Sequence, residues 1–376
     1  FGSSCSMRWL LRGLTLAPAI AIDKEMGSEV GQACPVGSEV DKSCPAESEA
    51  PYKLTPILPH FGAEVRGLSL SGTEPLPPEL VQRIKDDMTR YRVLVFKDQG
   101  QIPGARQVQI SRQLGEVEST FYKHPRSPHP DIFRVSNDET EGCTGVGRTG
   151  WHIDGTFQAM PFKYQTMHFH SVCEGGETWF IPLKEFYEMQ DEATRARWNK
   201  YWMVTGRQQY AHPMTYVHPS RGDTTMMFHC GAPFCSAWAV DDDGAEADKR
   251  NIKGFIRPEV VQAELTERLD EAVDRIGFKM NWEAGDFAIN DNLGNCHYAP
   301  PGTQNPRKRS GLRILHRTTI AGENVPKKVD TTRTILLPTR LFKNYKCRKL
   351  SDRCCAMLAR AHSLRKADGR RSFMID

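Results

Sequence analysis

The chain lacks any apolar run approaching the roughly 20 residues needed to cross a bilayer, so no membrane span is expected. It also lacks a cysteine framework. Its 11 cysteines include no Cys-x-x-Cys pair and scatter from Cys5 to the adjacent Cys354 and Cys355. So irregular a set argues against a disulfide scaffold and for reduced thiols in an intracellular compartment, read here as cytoplasmic. Strong charge of one sign is missing as well: 50 Lys and Arg against 46 Asp and Glu leave +4. Nothing resembles a nucleic-acid-binding module. What is present is 376 residues, 39% hydrophobic and 26% charged, ample to bury one sizeable core with extensions attached.

The two ends differ from the middle. Residues 1–50 carry a near-repeat, Gly27-Ser28-Glu29-Val30 to Cys34-Pro35 and Gly37-Ser38-Glu39-Val40 to Cys44-Pro45. Polar, Pro-containing repeats seldom bury a core, which predicts a disordered linker. Ahead of it, the basic and apolar stretch from Met7 to Ile22 reads as a mitochondrial presequence or weak signal peptide if Met7 is the true start. Residues 327–376 hold 14 Lys and Arg against 4 Asp, which leaves the rest of the chain net negative. Within this basic extension Cys354, Met357, Leu358, Ala361 and Leu364 fall at helical spacing. An exposed helix packed on the domain or on a second subunit is the simplest reading, and a homo-oligomer is compatible with it.

Between the ends, roughly residues 51–326, the pattern is mainly β with helical insertions. Leu80, Val81, Ile84 and Met88 follow Pro77-Pro78 at helical spacing, and Val260, Val261, Leu265, Leu269, Val273 and Ile276 mark a longer amphipathic helix. β-rich runs lie at 163–169, 178–182 and 224–229. His168 and His170 share one face of the first, a place for packing or supporting residues. The acidic run Asp241-Asp242-Asp243 reads as a surface loop.

The chemistry is concentrated in Trp151-His152-Ile153-Asp154-Gly155 and in the 290–299 stretch that contains His297. Two neutral imidazoles and one carboxylate can occupy one face of an octahedral ferrous ion and leave three positions open. A closed four-ligand site could not do this. The His-x-Asp spacing suits an extended strand, where residues i and i+2 point to the same side, so the third ligand must come from elsewhere in the chain. Alone the pair is weak, because a short motif recurs by chance. A second one, His129-Pro130-Asp131, lies among Pro125, Pro128 and Pro130, where strand geometry is not expected.

Context supplies the specificity. Gly175-Gly176-Glu177-Thr178-Trp179 follows the pair, and Leu312-Arg313-Ile314-Leu315-His316-Arg317-Thr318-Thr319-Ile320 follows His297. With Pro59-His60-Phe61-Gly62-Ala63-Glu64-Val65 and Gly67, Arg92 to Gln99, Gln113-Leu114-Gly115-Glu116 and Trp282 to Ile289, this order of blocks resembles the taurine/2,4-dichlorophenoxyacetate dioxygenase family of Fe(II)/2-oxoglutarate enzymes over roughly residues 51–325. The resemblance implies a double-stranded β-helix, the cupin-like jelly roll, and a metal site of His152, Asp154 and His297. It implies that Arg313 grips the distal carboxylate of 2-oxoglutarate, a task suited to a planar guanidinium fork, and that Thr178 helps hold the same co-substrate. Arg317 matches a position that binds an anionic substrate group, with a structural ion pair as the plainer alternative. On a strand it would share a face with Arg313. His124 falls where taurine enzymes place a substrate-contacting His, but Ser127 and Arg148 stand in place of Tyr and Asn, so the substrate differs from taurine.

The segment from Tyr298 to Leu312 is longer than in the taurine enzymes and reads as a mobile loop beside the site. Asp154 excludes the related halogenases, which replace that carboxylate by a small residue. The activity implied is hydroxylation of a small anionic molecule, using Fe(II), 2-oxoglutarate and O2 and releasing succinate and CO2. If the hydroxylated carbon carries a heteroatom leaving group, the product fragments. Desaturation or N-oxidation on the same scaffold, and a non-catalytic binding protein, are the alternatives. A zinc hydrolase would leave Arg313 and Thr178 without a ligand.

Overall fold

The computed structural model describes residues 50–118, 123–146, 150–206, 210–231, 233–241 and 252–329. The leader, the near-repeat, Arg148 and the amphipathic stretch of the basic extension lie outside the described residues. The fold is mainly β with a few helices. Its largest sheet has, among the described residues, eight strands. They run Lys53–Leu58, Phe61–Arg66, Val93–Phe96, Phe287–Asp291, Tyr164–Ser171, Ile314–Ile320 and Val117–Glu118, with Phe133–Ser136 also paired to Ile314–Ile320. All pairs are antiparallel except Phe61–Arg66 with Val93–Phe96. A three-stranded sheet of Phe278–Met280, Thr178–Pro182 and Asn295–Tyr298 makes the second layer. A four-stranded sheet and a hairpin complete the β structure.

Alternation along Val93–Phe96 shows how one strand serves two cores. Leu94 and Phe96 face the cluster that includes Leu80, Ile84 and Met88 of the helix Pro78–Tyr91, and Val93 and Val95 face the cluster that includes Phe180, Phe278 and Met280 of the smaller sheet. With side chains alternating across the pleat, such a strand is apolar throughout, and each fully buried large side chain contributes roughly 1.5–3 kcal/mol. The helix Pro78–Tyr91 starts at the expected proline and ends at Arg92, whose φ of +65° closes it with a backbone N–H to Met88 O at 2.8 Å. Arg92 is fixed there by Glu185, at 2.5 and 2.9 Å. The second predicted helix is Pro258–Ile276. It buries Val261, Leu265, Leu269 and Val273, while Val260 is exposed.

One expectation is corrected. Asp241 is not on a surface loop: it ends the strand Cys235–Asp241, buried, and accepts hydrogen bonds from Trp202 Nε1 at 3.0 Å and from Lys328 Nζ. Lys328 lies at the start of the basic extension, so a distant cation makes burial of this carboxylate tolerable. The 298–312 segment, expected as a loop beside the site, carries short local structure. It folds into a 3-10 turn, Pro301–Gln304, and a helical turn, Arg307–Ser310. Both are pinned by Asn137 Nδ2, which donates to Asn305 O and Gly311 O at 2.9 Å each. No helix among the described residues is long and apolar enough to cross a membrane.

Candidate metal and co-substrate site

His152 and Asp154 do not lie on a regular strand. His152 makes isolated bridges to His229 and His297, with reciprocal backbone hydrogen bonds to His297 at 3.1 Å, and the chain turns immediately after Asp154. Gly155 permits that turn: its φ is +75°, and a Cβ there would sit 2.7 Å from the Phe162 ring. Asn292 ties the turn down, accepting from Asp154 N and donating to Asp154 O at 2.9 Å each.

The result is a convergent, buried donor set. One ligand atom from each of His152, Asp154 and His297 lies within 4.8 Å of the others. His152 Nε2 stands 3.7 Å from Asp154 Oδ1, and His297 Nε2 stands 3.5 Å from Asp154 Oδ2. His152 Nδ1–H donates to Gly150 O at 2.8 Å, which fixes the tautomer and leaves Nε2 as the lone-pair nitrogen. Burial, then the neighbouring His297, bring the His152 pKa down to about 4, so that lone pair is free at neutral pH. Burial alone would push Asp154 up, but the Arg317 guanidinium, with His297 and His152, carries it well below the ordinary carboxylate value. Arg317 Nη1 donates to Asp154 Oδ2 at 2.6 Å, and Gln165 Nε2 donates to the same oxygen. Asn290 Nδ2 in turn holds Gln165 Oε1 at 3.2 Å.

His152, Asp154 and His297 line a cavity of about 150 Å³ whose walls include Val135, Val146, Met167, Ala299 and Leu315, together with Thr178, Arg313 and Arg317. Arg313, Leu315 and Arg317 alternate onto the cavity face around the Ile314–Ile320 strand, so the shared face expected of the two arginines is observed. The Arg313 side chain is 3% exposed and lies over the Phe169 ring at 5.6 Å, and its buried Nε has no hydrogen-bond partner among the described residues. Burial lowers its pKa to about 10. Thr178 Oγ1 accepts from Trp282 Nε1 at 2.9 Å, which leaves the hydroxyl proton to be donated elsewhere. A buried fork without an acceptor beside an oriented hydroxyl fits a dicarboxylate with its far carboxylate at Arg313.

Of the remaining candidates, His124 is not among the residues lining the cavity: its ring is engaged by Glu139 O at 3.1 Å and by Arg126 N–H at 3.2 Å. The His129-Pro130-Asp131 copy closes on itself, with His129 Nδ1 accepting from Asp131 N at 3.0 Å. Sequence reasoning missed His229. It lines the cavity, stacked on His152 with ring centroids 4.9 Å apart and against Phe234 at 4.1 Å. Its only signal is its place at the end of the β-rich run from Thr224.

Residues 53–319 match the model of the taurine catabolism dioxygenase TauD, TfdA family. An alpha-ketoglutarate-dependent sulfate ester dioxygenase of Pseudomonas putida is 27% identical over 305 residues, 73% of this chain and 91% of that protein. An alkylsulfatase of Acinetobacter baylyi is 24% identical, covering 70% of this chain and 82% of its own length. The crystal structure of a taurine dioxygenase from Burkholderia xenovorans superposes with a TM-score of 0.57 at 24% identity, over 76% of this chain and 94% of that one. The chain belongs to the TauD, TfdA dioxygenase family.

Proposed function

We propose that residues 51–326 form a jelly-roll dioxygenase domain, flanked by a leader and a basic extension, which oxidises a small organic anion of the sulfate-ester class. The two sheets facing each other across Val95, Phe169 and Phe180 support the jelly-roll reading. The observation that carries the function is the cavity itself, with a two-His, one-carboxylate set and the buried Arg313, whose Nε has no partner among the described residues, both opening into it.

In this reading His152, Asp154 and His297 would hold Fe(II) through two imidazoles and one carboxylate. Arg313 grips the distal carboxylate of 2-oxoglutarate, and Thr178 donates its hydroxyl to the same molecule. When bound, the ferrous ion with 2-oxoglutarate and O2 supplies the oxidant that cleaves a substrate C–H bond, with succinate and CO2 released. The apolar walls orient the substrate and exclude water. Arg317 keeps Asp154 ionised and adds positive charge beside the substrate anion, while His229 bounds the same space. Hydroxylation at a carbon bearing a sulfate ester oxygen gives an unstable intermediate whose C–O bond breaks, yielding an aldehyde and inorganic sulfate. The sulfate ester dioxygenase and alkylsulfatase among the relatives favour this class over sulfonates.

Succinate release would be measured with Fe(II), 2-oxoglutarate and O2 against short alkyl sulfates, taurine and an aryloxypropionate, in the parent and in Arg317→Ala. Alkyl sulfates should drive succinate release with equimolar sulfate, and Arg317→Ala should raise their KM. If taurine or the aryloxy acid alone couples turnover, the substrate class is wrong.

A further inference from the structure

A second cluster of ring nitrogens stands on the opposite face of the large sheet. Met167 and Arg317 point into the cavity, so their neighbours His168 and His316 point away from it, paired across the Tyr164–Ser171 and Ile314–Ile320 strands. His170 follows two residues on, on the same face. The ring centroids are 4.2 Å apart for His168 and His170, and 3.9 Å apart for His170 and His316. One ring nitrogen from each lies within 4.8 Å of the others. His168 is 0% exposed, His316 is 2% exposed and His170 is half-buried, which leaves a route from solvent past His170.

Each ring also has a buried nitrogen without a hydrogen-bond partner among the described residues: His168 Nδ1, His170 Nε2 and His316 Nδ1. One such atom is a tolerable defect. Three such atoms on three neighbouring rings call for a ligand, because buried polar groups are almost always satisfied. For His168 the tautomer is fixed: Nε2 lies 2.9 Å from Gly100 O and must donate to it, so Nδ1 bears the lone pair. Burial and mutual proximity hold His170 at about 3 and His316 at about 2, so the rings are neutral at physiological pH.

We infer that His168, His170 and His316 form a second metal site, separate from the catalytic one, that takes a divalent ion of the zinc class. Three imidazoles without a carboxylate favour Zn(II) over magnesium or calcium, and a fourth position toward His170 is left for water. One neighbour opposes the ion. Arg134 Nη1 donates to His316 Nε2 at 2.6 Å, which places the His316 proton on Nδ1. Ligation through Nδ1 moves that proton to Nε2, where Arg134 can no longer donate, so the ion and this hydrogen bond exclude each other. Arg134 has somewhere else to go, because its Nε already donates to Glu141 O at 2.5 Å and its Nη2 lies 3.4 Å from Glu141 Oε2.

The test is zinc stoichiometry and affinity of the metal-free full chain, titrated against a chromogenic chelator. The parent should bind two equivalents, and His152→Ala and His170→Asn one each. Arg134→Gln, at a half-buried position, should bind two equivalents with the second at least tenfold tighter. One equivalent in the parent that disappears in His152→Ala would overturn the inference, as would two equivalents retained in His170→Asn.

Discussion

Replacing Arg313 by Ala separates binding of the co-substrate from folding, because the structure assigns opposite signs to the two effects. In the free protein the guanidinium is 3% exposed with no acceptor for its Nε among the described residues, and its pKa falls to about 10 from 12.5. At 1.36 kcal/mol per unit, holding that charge costs folding on the order of 3 kcal/mol. Truncation loses the contact over Phe169, about 0.5–2 kcal/mol, and some packing, so stability without ligand should change little or rise. Binding should suffer instead. A buried carboxylate left without its fork costs roughly 3–5 kcal/mol, which at 1.4 kcal/mol per decade is about two to four orders of magnitude in Kd. Arg313→Lys keeps the charge and loses the two-pronged geometry, so it should fall between. The assay is anaerobic titration of the Fe(II) protein with 2-oxoglutarate, read by the visible charge-transfer band, alongside urea unfolding with and without the co-substrate. A large loss of stability in the ligand-free Ala variant would make Arg313 structural, and unchanged affinity would refute its assignment to 2-oxoglutarate.

What the sequence revealed and what it hid follow from how far each signal reaches along the chain. The helices at Pro78–Tyr91 and Pro258–Ile276 were legible because their buried residues repeat every three or four positions, and the strand Thr178–Pro182 because a short β-rich run follows a glycine pair. His152 and Asp154 were legible as a spacing, but their backbone was not, since the partners that make the bridge, His229 and His297, arrive from distant segments. Asp241 looked like part of an exposed acidic run because nothing nearby in sequence announces Lys328. The same blindness hid the outer histidine cluster: alternation puts His168 and His170 on one face, yet only strand register brings His316 beside them. The family pattern therefore pointed to the candidate metal and co-substrate residues, while His229 and the outer cluster needed the fold.

The remaining predictions concern orientation and acid stability. Trp282→Phe keeps the stack on Phe169, now at 4.0 Å between centroids, and removes the hydrogen bond to Thr178. Losing one such bond is worth about 1 kcal/mol, so KM for 2-oxoglutarate should rise roughly fivefold with kcat less affected, and an unchanged KM would show that Thr178 needs no orienting partner. Acid should destabilise the fold through His212, which is fully buried, with Nε2 donating to Thr156 O at 2.9 Å. Burial lowers its pKa from 6.5 to about 4. The unfolded chain takes up this proton near pH 6.5 and the folded one only near 4, so the unfolded state binds more protons in between and stability falls as pH drops through that window. Between pH 7 and 5 the loss from this one group should be about 2 kcal/mol at 1.36 kcal/mol per unit. Urea unfolding at several pH values should therefore show a steeper acid loss in the parent than in His212→Gln, by about one proton. Parallel curves for the two proteins would mean that His212 charges in the folded state as readily as in the unfolded chain, and its burial would then carry no electrostatic cost.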